Sequence, residues 1–120
     1  MVAAHKPPSL RKGTMALLAY DLEEGGSATF RKVLVDYSPE AGPDGLTCDV
    51  DGNLFVACRS EKRPGVTVYS PDGAELAYLK IEPPPTNVAF GRGAESGTLY
   101  ITTGSHLMRI KTMRKGYHLR

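Results

Sequence analysis

Residues 43–58, PDGLTCDVDGNLFVAC, carry the pattern that decides the fold. Two short apolar runs, Leu46–Val50 and Asn53–Cys58, flank an Asp51-Gly52 step. Runs of this length bounded by Gly, Pro, Asp and Asn read as strands, and Asp-Gly between two of them is a hairpin signal. The pattern returns at 85–103, PTNVAFGRGAESGTLYITT. Pro43 matches Pro85, Leu46 matches Val88, and Asn53–Ala57 matches Thr98–Thr102 after a short insertion, a period of 42 to 45 residues. Around these, GVTVYSPDGAELAYLKIEPP (65–84) resembles LLAYDLEEGGSATFRKVLVDYSP (17–39), with Tyr20 matching Tyr69.

The complete set of strand-like runs is Leu17–Leu22, Phe30–Tyr37, Leu46–Val50, Asn53–Cys58, Gly65–Ser70, Glu75–Ile81, Thr86–Gly91, Thr98–Thr103 and Leu107–Lys111. No window sustains an apolar stripe of helical period over three turns. The chain is therefore expected to be all-β. A four-strand unit repeating at this length is the signature of a β-propeller blade, a twisted antiparallel meander that buries its faces against its neighbours. Two strands precede Pro43, four lie between Pro43 and Pro85, and three follow. The expectation is an incomplete propeller of about two and a quarter blades, with blade parts at 15–40, 41–82 and 83–120. Residues 1–14, with Pro7-Pro8 and scattered bases, read as an irregular basic segment.

Composition sets outer bounds. A chain of 120 residues with 41% apolar and 23% charged residues is one soluble globular domain in size and character. The net charge is +2, but residues 109–120 carry five bases and no acid, while 13–108 hold seven bases against thirteen acids. The basic C-terminus reads first as a solvated tail. It lacks the interleaved aromatics of single-strand binders, so no nucleic-acid partner is expected. No run reaches the length of a membrane-spanning helix, and Pro-Pro stands where a signal peptide needs its apolar core, so no membrane partner is expected either. If Asp51-Gly52 is a two-residue type I′ turn, Cys48 faces Phe55 and Cys58 faces Gly45, out of register for a disulfide. Two free cysteines suit a reducing compartment, and the expected location is cytoplasmic.

From about Leu17 onward the sequence resembles the gluconolactonase and regucalcin (senescence marker protein) family. The resemblance rests on LAYDL, YSPEAGPDGL, DGNLFVA, VYSPDGAEL, PTNVAFG and TLYITT in that order and spacing. It implies a six-bladed propeller that hydrolyses sugar lactones or related esters with one divalent metal in the central channel. By that resemblance Asp44, in the Pro-Asp-Gly at a strand entrance, is both a metal ligand and a candidate general base. The metal would be Ca²⁺ ahead of Zn²⁺, Mg²⁺ and Mn²⁺, all of which accept a carboxylate oxygen. Without the resemblance, Pro43-Asp44-Gly45 is an ordinary turn sequence.

Asn87 occupies the equivalent strand entrance in the next repeat and is the candidate substrate-binding residue. Its competing reading is an amide that satisfies nearby backbone. Asp49, Asp51 and Asp72 read as turn and strand-end residues. His5, His106 and His118 have no ligand spacing, Ser70 and Ser105 have no nucleophile motif, and Cys48 and Cys58 read as small core residues. The family's other metal ligands, a glutamate near the start and an asparagine in a middle blade, are matched by none of Glu23, Glu24 or Glu40. The ligand set is thus expected to be incomplete and the lactonase activity impaired. A non-catalytic propeller scaffold that binds a ligand or protein is the alternative, and self-association through open blade faces is a further expectation.

Overall fold

A computed structural model describes residues 15–118. It contains nine strands: β1 (Ala16–Leu22), β2 (Ala28–Asp36), β3 (Pro43–Cys48), β4 (Leu54–Cys58), β5 (Gly65–Tyr69), β6 (Glu75–Lys80), β7 (Pro85–Phe90), β8 (Thr98–Thr103) and β9 (Leu107–Lys111). The only helical element among the described residues is a single 3₁₀ turn, Gly93–Glu95. All pairings are antiparallel, and the strands form three meanders, β1-β2, β3-β4-β5-β6 and β7-β8-β9. The two, four and three strands expected from the repeats are the strands found. The irregular segment expected over 1–14 lies outside the described residues. No described helix is long and apolar enough to cross a membrane.

The chain divides into two compact units, one ending at Gly42 and one beginning at Pro43. In the first, β1 and β2 pair with two register irregularities, and Tyr20 packs edge-on against Phe30 with ring centroids 5.7 Å apart. In the second, the four-stranded and three-stranded sheets enclose one core. Phe55, Ala57, Val66 and Ile81 come from the first of these sheets and its exit, and Val88, Phe90, Leu99 and Ile101 from the second. The Phe55 and Phe90 rings meet edge-to-face at 5.0 Å. Each of the large side chains contributes about 1.5–3 kcal/mol by leaving water. The core takes alternate residues of β4, β7 and β8, which is why period-two patterning made these strands readable.

The hairpin register differs from the expectation. Asp51 does not have the positive φ of a type I′ turn, since no described non-glycine residue does. Instead Gly52 N–H donates to Asp49 C=O at 3.1 Å, Asp49 N–H donates to Asn53 C=O at 3.0 Å, and Gly52 alone takes positive φ, 83°. This is a three-residue loop closed by a left-handed glycine. Cys48 therefore pairs with Leu54 and Cys58 with Pro43, not with Phe55 and Gly45. The cause is Asp49, whose buried carboxylate accepts from Asp51 N–H, Asn53 N–H and Asn53 Nδ2, each at 2.9 Å. The same hydrogen-bond pattern closes β1-β2 around Gly26 and β5-β6 around Gly73. Both thiols remain free, as expected.

The basic C-terminus is not a solvated tail as far as it is described. Val50 N–H donates to Lys115 C=O, Tyr117 N–H to Cys48 C=O, and Gly116 N–H to Ser96 C=O. The segment after β9 thus ties the β3-β4 hairpin to the third sheet. Arg109 lies 3.7 Å from Glu95 and Arg114 lies 3.4 Å from Asp51, so part of the basic charge has local acidic partners.

Candidate functional site

The two candidate residues sit on β3 and β7, each the first strand of its meander. Each strand is irregular at its start. The pairing of β3 with β4 shifts between Pro43 and Leu46, and that of β7 with β8 shifts between Pro85 and Asn87. The prolines explain part of this, since a proline at a strand's first residue removes a ladder donor. Asp44 therefore lies within β3, at its irregular beginning, and not ahead of the strand as the sequence suggests.

Glycine at 45 is what brings the two strand starts together. A Cβ on Gly45 would stand 1.9 Å from Asn87 Oδ1 and 2.8 Å from Asn87 Cα, so only a residue without a side chain permits this approach. Asp44 is thereby one residue from the Asn87 contact, and the structure brings the two candidates onto neighbouring strand ends. Asn87 Oδ1 accepts from Val88 N–H at 2.9 Å, which is the backbone-satisfying role weighed for it. Its amide NH₂ is the group left to offer a ligand.

Asp44 is exposed, and its Oδ2 lies 3.4 Å from Arg59 Nη1. Arg59 follows β4 directly, and β4 ends opposite Pro43, so the β3-β4 register carries the guanidinium to the carboxylate. Both side chains are about half exposed, which makes this a weak ion pair. Arg59 was not among the residues singled out from the sequence. Only the register, which the Asp51-Gly52 dipeptide does not determine, identifies it as Asp44's neighbour.

Among the described residues, no group of three or more His, Cys, Asp or Glu side chains could hold a metal ion. Asp44 offers one carboxylate that faces a cation already, and Asn87 Oδ1 is turned to its own strand's backbone. These residues do not fit a divalent-cation site by themselves. The other polar residues behave as structural groups. Asp49 organises a turn, and Thr86 Oγ1 and Thr102 Oγ1 share a hydrogen bond of 2.9 Å across β7 and β8. Ser105 Oγ and His106 Nδ1, 2.8 Å apart, are sequence neighbours on the exposed β8-β9 loop. His118 Nε2 meets Gly91 C=O at 3.0 Å.

Comparison with known proteins bears on the family and the fold. Residues 13–105 match the family described as SMP-30/gluconolactonase/LRE-like region. A gluconolactonase from Zymomonas mobilis is 31% identical over 106 residues, 81% of this chain and 28% of that protein. The X-ray structure of a protein assigned to the gluconolactonases superposes with a TM-score of 0.75 at 30% identity, covering 88% of this chain and 34% of the other. That of a luciferin-regenerating enzyme superposes with a TM-score of 0.71 at 24% identity, covering 87% and 40%, and supports the fold alone. The chain thus spans roughly a third of the length of these proteins. Its antiparallel sheets correspond to part of the propeller, and the chain belongs to the SMP-30/gluconolactonase/LRE-like family.

Proposed function

We propose that this chain furnishes the Asp44–Asn87 wall of a site that hydrolyses a lactone or related carboxylic ester. The observation that carries the reading is the packing of Asn87 against Gly45, which brings Asn87 against the residue that follows Asp44, on two adjacent strand ends. In this reading Asp44 orients or deprotonates the water that attacks the ester carbonyl. The Asn87 NH₂ donates a hydrogen bond to a substrate oxygen. Arg59 holds Asp44 as a counter-ion and must move aside for the carboxylate to act as a base. The divalent ion expected from the resemblance would need ligands that the described residues do not supply, so no step here is routed through a metal. The two free thiols suit a reducing compartment such as the cytoplasm.

The test is hydrolysis of gluconolactone by the purified 120-residue chain, followed by acid release, with and without Ca²⁺, Zn²⁺, Mg²⁺ or Mn²⁺. Slow turnover above background that is lost in Asp44→Asn supports the reading. Turnover unaffected by both Asp44→Asn and Asn87→Ala refutes it. The ion pair between Asp44 and Arg59 favours one second reading, a scaffold that binds its ligand without chemistry. That reading expects ligand binding to survive Asp44→Asn and hydrolysis to be absent throughout.

A further inference from the structure

The arginines of the second unit differ in what holds them. The Arg63 guanidinium bonds both oxygens of Glu75 and lies 4.1 Å over the Tyr78 ring. Arg114 lies against two acids, Asp49 at 4.0 Å and Asp51 at 3.4 Å. Arg59 is held less firmly. Among the described residues its guanidinium makes one hydrogen bond, from Nη1 to Asp44 Oδ2 at 3.4 Å, which is long for a charged pair. A guanidinium carries five N–H donors in one plane. The donors that Asp44 does not take are open to water, since about half of the Arg59 side chain is exposed and no described buried side-chain nitrogen lacks a partner.

The backbone beneath Arg59 is anchored on both sides. Residues 59–64 join β4 to β5, and Cys58 pairs with both Pro43 and Gly65, so the loop springs from the strand end beside Asp44. Ser60 is buried. Its Oγ accepts from Lys62 N–H at 3.3 Å and its C=O from Arg63 N–H at 3.2 Å, which closes a turn. At the far end, Pro64 C=O accepts from Ile81 N–H at 3.3 Å and from the Tyr78 hydroxyl. A Cβ on Gly65 would stand 2.1 Å from Leu79 O, so the chain leaves the loop pressed onto β6. The Arg59 Cα is thus fixed beside Asp44, while its long side chain can turn from one acceptor to another.

We infer that Arg59 receives the carboxylate of the product, a hydroxy acid, in exchange for Asp44; this rests on ester hydrolysis at Asp44 as proposed above. Hydrolysis adds water to the carbonyl carbon and breaks the bond from that carbon to the ring oxygen. One water proton ends on the ring oxygen, making a hydroxyl, and the other leaves to solvent when the new acid ionises. A neutral ester has become an anion. On Asp44 the charge moves the other way, because a general base is neutral while it holds the proton taken from water. Arg59 therefore loses its partner at the stage where negative charge gathers on the substrate. Its planar fork of donors suits a carboxylate taken two oxygens at a time. Once Asp44 has passed its proton on, it competes again for the guanidinium and repels the acid, which drives release.

The probe is gluconate, the acid that gluconolactone yields, titrated into the full isotope-labelled chain and followed by amide NMR. EDTA is present, so that no metal ion bridges the acid to Asp44. Sorbitol, which has the hydroxyls without the carboxylate, is the control. Gluconate should shift the Arg59 Nε–H signal and the amides of Asp44, Gly45, Arg59 and Ser60, saturating in the millimolar range, and sorbitol should not. Affinity should fall about tenfold in Arg59→Ala, the worth of a hydrogen bond between charged groups, and Arg59→Lys should recover part of it. Asp44→Asn removes the competing charge and should bind gluconate several-fold more tightly. The dispersion of the amide spectrum shows that each variant is folded. The inference is overturned by gluconate that shifts nothing at tens of millimolar or by sorbitol that binds equally well. It is overturned also by an affinity unchanged in Arg59→Ala or no higher in Asp44→Asn. Hydrolysis reads separately. Arg59-dependent binding in a chain without turnover keeps the acid site and removes Asp44 as the base, whereas turnover without such binding removes the acid site alone.

Discussion

Replacing Gly45 by alanine tests the contact on which the candidate site depends. The new Cβ would stand 1.9 Å from Asn87 Oδ1, 2.4 Å from its Cγ and 2.8 Å from its Cα. The first two contacts can be relieved by turning the Asn87 side chain, which gives up the 2.9 Å bond from Val88 N–H and costs about 0.5–1.5 kcal/mol. The third involves backbone. It is relieved only when β3 and β7 separate by several tenths of an ångström, an overpacking cost of about 1–3 kcal/mol. Against this, Gly45 is not among the positive-φ glycines, so alanine gains about 0.4–1 kcal/mol by restricting the unfolded chain. The balance is a loss of about 1–3 kcal/mol. Urea unfolding of Gly45→Ala should show a lower midpoint with an unchanged slope. In Asn87→Gly, the same Gly45→Ala change should cost about 1 kcal/mol less, because the side-chain part of the clash is gone and the Cα part stays. A Gly45→Ala protein as stable as the parent would mean that β3 and β7 do not approach this closely, and the Asp44–Asn87 wall would go with that contact.

Three other outcomes follow from single features. Asp49→Ala should lose about 2–4 kcal/mol in urea unfolding, because three donors, one of them the buried Asn53 amide, lose a charged acceptor; Asp49→Asn should lose less. Phe90→Ala should cost about 3–5 kcal/mol, since the ring packs edge-to-face on Phe55 in the core between the two sheets. The Arg63 guanidinium, hydrogen-bonded to both Glu75 oxygens, holds that carboxyl below its ordinary value of 4.5. A depressed folded value means stability that is present above the ordinary value and lost as pH falls through the folded one. The stability gap between the parent and Glu75→Gln should therefore be at most about 1 kcal/mol at neutral pH and should close on acidification below 4.5, a trend that thermal melts across pH will track.

The strands of the second unit were legible because β4, β7 and β8 place alternate residues in one core and most of the strands are bounded by Gly, Pro, Asp or Asn. In β8, Leu99, Ile101 and Thr103 are buried while Tyr100 is half-buried and Thr102 exposed, and that alternation is written in LYITT. The hairpin register was not legible. Asp-Gly closes two-residue and three-residue loops alike, and the choice falls to a carboxylate two residues earlier that bonds the loop's N–H groups. The path of the chain after Lys111 was hidden for a related reason. Its attachment to the β3-β4 hairpin is made by backbone groups of Lys115 and Tyr117, which leave no mark on side-chain pattern.

The site follows the same division. Position 44 was singled out through resemblance, since Pro-Asp-Gly by itself is only a turn sequence, and position 87 was singled out because the repeat superposes one strand start on the other. What neither route supplies is the contact chemistry. Arg59 reaches Asp44 only because β4 ends opposite Pro43, and a register one residue different would carry it elsewhere. The pair also governs how the carboxylate can act. Arg59 is half exposed and the pair is worth at most about 1 kcal/mol, so a ligand group that competes for either partner can open it. If Arg59 restrains Asp44, then Arg59→Ala should raise whatever hydrolysis depends on Asp44, and Arg59→Lys should leave it near the parent rate because a cation remains. A fall in rate with Arg59→Ala would instead make the guanidinium a participant in substrate binding. It would also remove the argument that the carboxylate waits behind a counter-ion.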